Sequence, residues 1–332
     1  MNPSLSATAL GLLLTACNVG LDGVTGDGGR SDGARTGDAT YAVGDTNATR
    51  ETYRCPGNGT EVSGTVLSPS GLDPIFGAVV YVTRDEPPTI AAGVACDTCL
   101  IPTGSRSFTT TGTDGAFQIP HANDDGGAFN LVIQKGRFRR IVRLTSASDC
   151  APLGVPAAQT ALPGTHGADA EMPRILVASS VYDEIRTVLT RIGITEFDTL
   201  DGCRRAGTTA EMMACPLAQL LADPARLAAY NVVLLPCGAL GGFHTWQLLA
   251  PEIATSLQGF LARGGRLYAS DLSYGVIDHT HPAAMSFAGN GALAQSGNDP
   301  ADVGIGGSRT SPRSYEGVVD DPDLSAWLQG RG

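Results

Sequence analysis

Residues 129–144 read FNLVIQKGRFRRIVRL. Phe129 to Gln134 is a strand-length apolar run, Lys135-Gly136 makes a turn, and Arg137 to Leu144 alternates basic with apolar side chains. Two such runs joined by a Gly-containing turn predict a β-hairpin. Its basic residues, Lys135, Arg137, Arg139, Arg140 and Arg143, form the only basic cluster of the chain. Because they alternate with apolar residues, they read as the solvated face of a strand.

The pattern continues outward from the hairpin. Thr113-Asp114-Gly115 is a turn between the Thr-rich strand Ser107 to Thr111 and the strand Ala116 to Ile119, since Asp-Gly supplies the positive φ that a tight hairpin needs. Upstream, Gly77 to Val82 is a nearly continuous apolar run, and Glu61 to Val66 alternates until Ser68-Pro69-Ser70-Gly71 breaks it. Short strands at regular spacing, separated by Gly and Asp turns, predict an antiparallel β-sandwich over residues 55–150.

The segments VSGTV, GAVVYV, TDGAFQI and FNLVIQKGRFRRIV together resemble the carboxypeptidase-regulatory-like, transthyretin-like sandwich. With the loop Cys96-Asp97-Thr98-Cys99 and the closing Cys150, the wider pattern resembles a family of myxobacterial surface lipoproteins. In that family the sandwich precedes an α/β domain. The resemblance spans roughly residues 55 to 330. It implies a surface location and an accessory sandwich without peptidase residues, and it implies no established reaction. The His and Glu ligands of a zinc carboxypeptidase have no counterpart here.

After an interdomain linker at 151–171, the period changes. Arg174 to Ser180 is a strand, and Ile185, Val188, Leu189 and Ile192 follow at helical spacing, capped by Gly193. Cys215 to Ala228 is helical with a break or restart at Pro224. Tyr230 to Pro236 is an apolar strand, Pro251 to Arg263 a helix ending at Gly264-Gly265, and Arg266 to Asp271 a strand. Alternating strands and helices predict a doubly wound parallel sheet over residues 172–332. YNVVLLPCG and LQGFLARGGRLYASD resemble the flavodoxin-like core of glutamine amidotransferase-like domains. Asp323 to Leu328 reads as a short amphipathic helix. Relatives of the resembling family continue past such a helix, so it is expected to pack poorly or to leave a sheet edge uncovered, as in a truncated product. The predicted fold is therefore α+β multidomain, a sandwich followed by an α/β domain.

The N-terminus gives an address. Ala9 to Leu14 is apolar and leads into Leu14-Thr15-Ala16-Cys17, which resembles a lipoprotein signal peptide whose lipobox Cys17 receives the lipid. The run is too short to span a bilayer, which needs about 20 residues, and it fits a signal-peptide core of about 7–15. Met1 to Ser6 carries no Lys or Arg, a departure from the ordinary n-region. Residues 18–54 are rich in Gly, Asp, Thr and Ser and read as a flexible linker. The expected location is the cell envelope, lipid-anchored on a periplasmic or surface face of the outer membrane.

Charge and cysteines agree with export. The chain carries 22 Lys+Arg against 33 Asp+Glu, a formal net charge of −11. A nucleic-acid partner is therefore not expected. In an oxidising compartment the cysteines should pair. Cys96 with Cys99 would close a small loop, with zinc and redox roles as alternatives. Cys203 with Cys215 would flank a loop, and Cys55 with Cys150 would staple the sandwich. Cys237 is then left over.

Ligands of open α/β sheets sit at the carboxyl ends of the strands. That edge should collect Ser179, Ser180, Cys237, His244, Ser270 and Asp271. An enzyme reading makes Cys237 a thiolate nucleophile, His244 its base and Asp271 the group that orients the imidazole. Against it, Cys237 lies in Pro-Cys-Gly with no immediate helix, and the His-x-Glu pair of amidotransferase-like enzymes is missing. Asp278-His279-Thr280-His281 could share a metal if extended. Gly304 to Gly307 reads as a loop rather than a dinucleotide site. No cofactor is expected. The leading expectation is a non-catalytic envelope lipoprotein that binds an unknown protein or glycan. The alternative is an exported hydrolase with a thiol-based or metal-assisted site.

Overall fold

Apolar side chains at every second position build the N-terminal half. The structure, a computed structural model, describes residues 60–95, 107–123, 127–146, 151–180, 182–240, 249–281 and 318–330. Strands β1 (Thr60–Thr65), β2 (Val79–Thr83), β3 (Ser107–Thr110), β4 (Ala116–Asn123), β5 (Gly127–Lys135) and β6 (Phe138–Ser146) combine with the two-residue strands β7 (Leu153–Gly154) and β8 (Ala170–Glu171). One sheet has the order β3-β2-β5-β6-β8, antiparallel throughout. The other, β4-β1-β7, pairs β1 antiparallel to β4 but parallel to β7. Val62, Phe117 and Ile119 from the small sheet meet Val80, Val82, Leu131 and Ile133 from the large one in a single core. Burying each large aliphatic side chain contributes about 1.5–3 kcal/mol.

Two sequence expectations change here. Residues 151–171 are not a linker: they supply β7, the short helix α1 (Ala157–Thr160) and β8. Val155 and Leu162 join the core of the two sheets. Their N–H groups bond Ser63 O at 2.8 Å and Leu67 O at 2.9 Å, which fixes the segment along the small sheet. The basic cluster of the hairpin is not a solvated face either. Arg137 is 8% exposed and Arg139 5%, because residues 86–93 cross over that side of the large sheet. Arg143, farther along β6, does face solvent, between Glu86 and Asp169.

The C-terminal half is built on four parallel strands: β9 (Ile175–Ser179), β10 (Asp198–Asp201), β11 (Val232–Leu235) and β12 (Arg266–Ala269). Their order is β10-β9-β11-β12. Both faces are apolar, as parallel sheets require. Leu176, Ala178, Val233 and Leu235 face α4 (Pro216–Ala222) and α6 (Pro251–Ala262) through Leu217, Leu221, Ile253 and Phe260. On the other face, Ile175 and Val177 pack with Leu189 of α2 (Ile185–Arg191) and with Ile194.

The expected break at Pro224 is a cap. The Asp223 side chain accepts the N–H groups of Ala225 and Arg226 and starts α5 (Pro224–Leu227). Strand β10 and helix α3 (Thr209–Ala214) were not expected. The signal for α3 was present in Thr208-x-x-Glu211, whose side chains form a reciprocal capping box.

The halves pack together. Phe138 of β6 touches both the core of the antiparallel sheets and the apolar cluster beneath β9. Gly193, at the end of α2, has φ +86°, and a Cβ there would lie 2.4 Å from Ser70 N. Beside it, Ser70 N–H donates to Ile192 O at 3.0 Å. The helix Pro322–Gln329 buries none of its residues. Its Trp327 Nε1–H donates to Pro74 O in the β1–β2 connection at 2.9 Å, while β12 stands at an edge of the parallel sheet. Among the described residues no helix is long and apolar enough to cross a membrane.

Candidate functional site

The carboxyl ends of β9, β11 and β12 bring three loops together, where β9 and β11 run side by side and their connections diverge. Asp183, after β9, is the hub: its Oδ2 accepts the main-chain N–H of Cys237 at 2.9 Å and the hydroxyl of Ser270 at 2.7 Å. These two donors, Cys237 first, hold the Asp183 carboxyl below its ordinary pKa. The Cys237 thiol donates to Asp271 Oδ2 at 3.2 Å. Asp271 has φ +44°, a left-handed conformation that Asp adopts more readily than most residues. The thiol itself is buried, with Cys237 4% exposed.

The serines of this edge have structural partners. Ser180 Oγ accepts the N–H groups of Tyr182 and Asp183, and Ser179 Oγ donates to Asp201 Oδ1. Ser273 Oγ donates to Pro236 O at 2.7 Å. Gly202 is required by close approach, since a Cβ there would lie 2.5 Å from both Ala239 O and Ser179 O. Cys203 N–H then donates to Ala239 O at 2.8 Å. A disulfide joins Cys203 to Cys215 with Cα atoms 5.5 Å apart, which pins the β10 end to the start of α4.

The structure thus brings Cys237 and Asp271 together, in direct contact rather than through an imidazole. His244 lies outside the described residues, as do Cys17, Cys55, Cys96, Cys99, Cys150 and Gly304 to Gly307. A nucleophilic thiolate needs a base or a cation beside it. Two of the contacts of Cys237 are to carboxylates, its main-chain N–H to Asp183 and its thiol to Asp271.

The expected metal tract lies at a helix end. Asp278 and His279 belong to α7 (Tyr274–Thr280), and His281 is its C-cap. The backbone there is helical and is not the extended segment that the sequence reading assumed. His281 Nδ1 lies 2.9 Å from Thr280 Oγ1, and burial lowers its pKa toward the neutral imidazole. Among the described residues no group of three or more His, Cys, Asp or Glu is placed to hold a metal ion.

A cleft of about 490 Å³ opens at the opposite end of the same sheet. Its walls come from the amino ends of β9, β10 and β11, the segment 90–93, and β8. Arg174 lies 4.7 Å above the Tyr230 ring and bonds Asp198, which also accepts the Tyr230 hydroxyl. Asn231 accepts Arg174 N–H and donates to Gly93 O. The cleft has no sequence signal, because its polar residues are scattered from Arg137 to Asn231 and share no motif.

The chain matches no family model and no curated protein. Among solved structures it is similar to a 5-hydroxyisourate hydrolase from Klebsiella pneumoniae, at 13% identity over 30% of this chain and 90% of that one, with a TM-score of 0.19. A likeness at that score bears on neither fold nor activity, and the architecture rests on the strand pairings given above.

Proposed function

We propose that this chain is a non-catalytic, lipid-anchored protein of the cell envelope with a binding or interaction role. On this reading Cys17 carries the anchor and residues 18–54 are the tether. A carboxypeptidase-regulatory-like sandwich is followed by a flavodoxin-like domain. The strand order β10-β9-β11-β12, or 2-1-3-4 in order of appearance, supports the latter. The two sheets that share one core support the former.

One observation carries the non-catalytic reading. The switch-point edge, where an α/β enzyme would work, is tied up in its own hydrogen bonds, and its thiol is buried against a carboxylate. The exported hydrolase remains the second reading, favoured by the contact between Cys237 and Asp271. A panel of chromogenic esters and peptide anilides separates the two. The expected result is equal, background turnover by the wild type and Cys237→Ser. Turnover that Cys237→Ser abolishes would establish the hydrolase. Anchoring is tested separately: Cys17→Ser should lose palmitate labelling and leave the membrane fraction, and unchanged labelling would refute the anchor.

A further inference from the structure

We propose that the cleft between the parallel sheet and the large antiparallel sheet binds a neutral saccharide. The inference rests on the binding reading above and gives it a site and a ligand class. At about 490 Å³ the cleft falls within the range of small-molecule sites, about 300–1,000 Å³, and it lies where two folded units meet, a frequent setting for such sites.

Its walls are already organised. Each carboxylate of the lining has a partner. Glu171 pairs with buried Arg139 and accepts Ile90 N–H. Glu196 takes the main-chain N–H and the ring of His166, at 2.7 and 2.8 Å. Asp198 holds Arg174 and the Tyr230 hydroxyl. A cationic ligand therefore finds no carboxylate without a partner to meet it. The planar side chains of Arg174 and Asn231 line the cleft, are held by their own bonds and have more donor and acceptor positions than those bonds use, which suits hydroxyl groups that both donate and accept.

Arg137 adds a polar group to the same lining. It is buried with its guanidinium on Ala91 O. Half-buried Phe197, with Met172 and Pro173, gives the same cleft an apolar wall for the C–H face of a pyranose ring.

The test is calorimetric titration of the full chain in detergent with the tetramers of glucose (β-1,4 and α-1,4), N-acetylglucosamine and mannose, and with tetragalacturonate as the charged control. The expected result is saturable binding of at least one neutral tetramer, weakened at least tenfold by Phe197→Ala. Should Phe197→Ala fail to melt cooperatively, Arg174→Ala, at an exposed side chain of the wall, takes its place with the same expected loss. No binding by any neutral tetramer, binding of tetragalacturonate alone, or binding that both variants leave unchanged would overturn the assignment. None of these outcomes touches Cys237, so failure here is distinct from failure of the non-catalytic reading.

Discussion

Asp183 Oδ2 takes the main-chain N–H of Cys237 at 2.9 Å, so a carboxylate after β9 holds the end of β11 in place. Hydrogen bonds to a charged group contribute about 1.5–3 kcal/mol. Asp183→Ala should therefore lower stability by about 1–3 kcal/mol and Asp183→Asn by less, because the amide oxygen still accepts. The carboxyl is held below its ordinary pKa in the folded state. Its contribution is thus complete above the unfolded value of about 3.9 and fades as the pH falls through the folded-state pKa. Thermal melts from pH 7 down to pH 2.5 should show the gap between wild type and Asp183→Ala closing in acid. A constant gap would mean the carboxylate charge plays no part.

The Cys203–Cys215 bridge closes a loop with a sequence separation of 12. Loops of this size give a stabilisation of about 3 kcal/mol through the unfolded chain. Urea titrations of Cys203→Ala/Cys215→Ala against the oxidised protein should show a loss of about 2–4 kcal/mol. Equal midpoints would mean that the surrounding contacts hold the β10 end without the bridge.

Gly193 faces Ser70 across the junction of the two halves with φ +86°. A side chain there is strained by its backbone and collides with the chain of the β1–β2 connection. Gly193→Ala should cost at least about 2 kcal/mol, read as a drop in Tm. Since the strain sits at the junction, limited proteolysis should cut the variant sooner between the halves. An unshifted melt would show that the junction opens freely.

The hairpin, the strand-helix alternation and the apolar strand at β11 were legible because each has a period that its burial demands. The termini of elements followed from chemistry: Gly193 after α2 and the Pro224 restart both stand where the sequence puts them. Strand β10 was not legible, since Asp198-Thr199-Leu200-Asp201 at a sheet edge has no apolar run. The burial of Arg137 and Arg139 was invisible for a different reason. Alternation says which residues share a face, and only the tertiary path of residues 86–93 decides what covers it. Likewise, the meeting of Cys237 with Asp271 followed from strand-end logic, whereas Asp183, the hub, sits in a loop that carries no motif.

The Arg139–Glu171 pair is the most buried charge pair described, with side chains 5% and 30% exposed. Removing one partner of such a pair costs about 3–5 kcal/mol, and replacing both by apolar residues is often neutral. Arg139→Met should therefore destabilise strongly, and Arg139→Met/Glu171→Met should recover most of the loss. Chemical denaturation of the single and double variants measures the coupling. Additive losses would show that the pair is not a unit.

On the non-catalytic reading the switch-point thiol is a packed structural group and no nucleophile. The direct measurement is alkylation of the folded, oxidised chain with iodoacetamide from pH 6 to 9, with modified sites mapped by mass spectrometry. Cys237 should stay unmodified throughout and react only once the chain is unfolded. Rapid modification of Cys237 in the folded chain well below pH 8.5, the ordinary thiol pKa being about 8.5, would contradict that reading and restore the hydrolase.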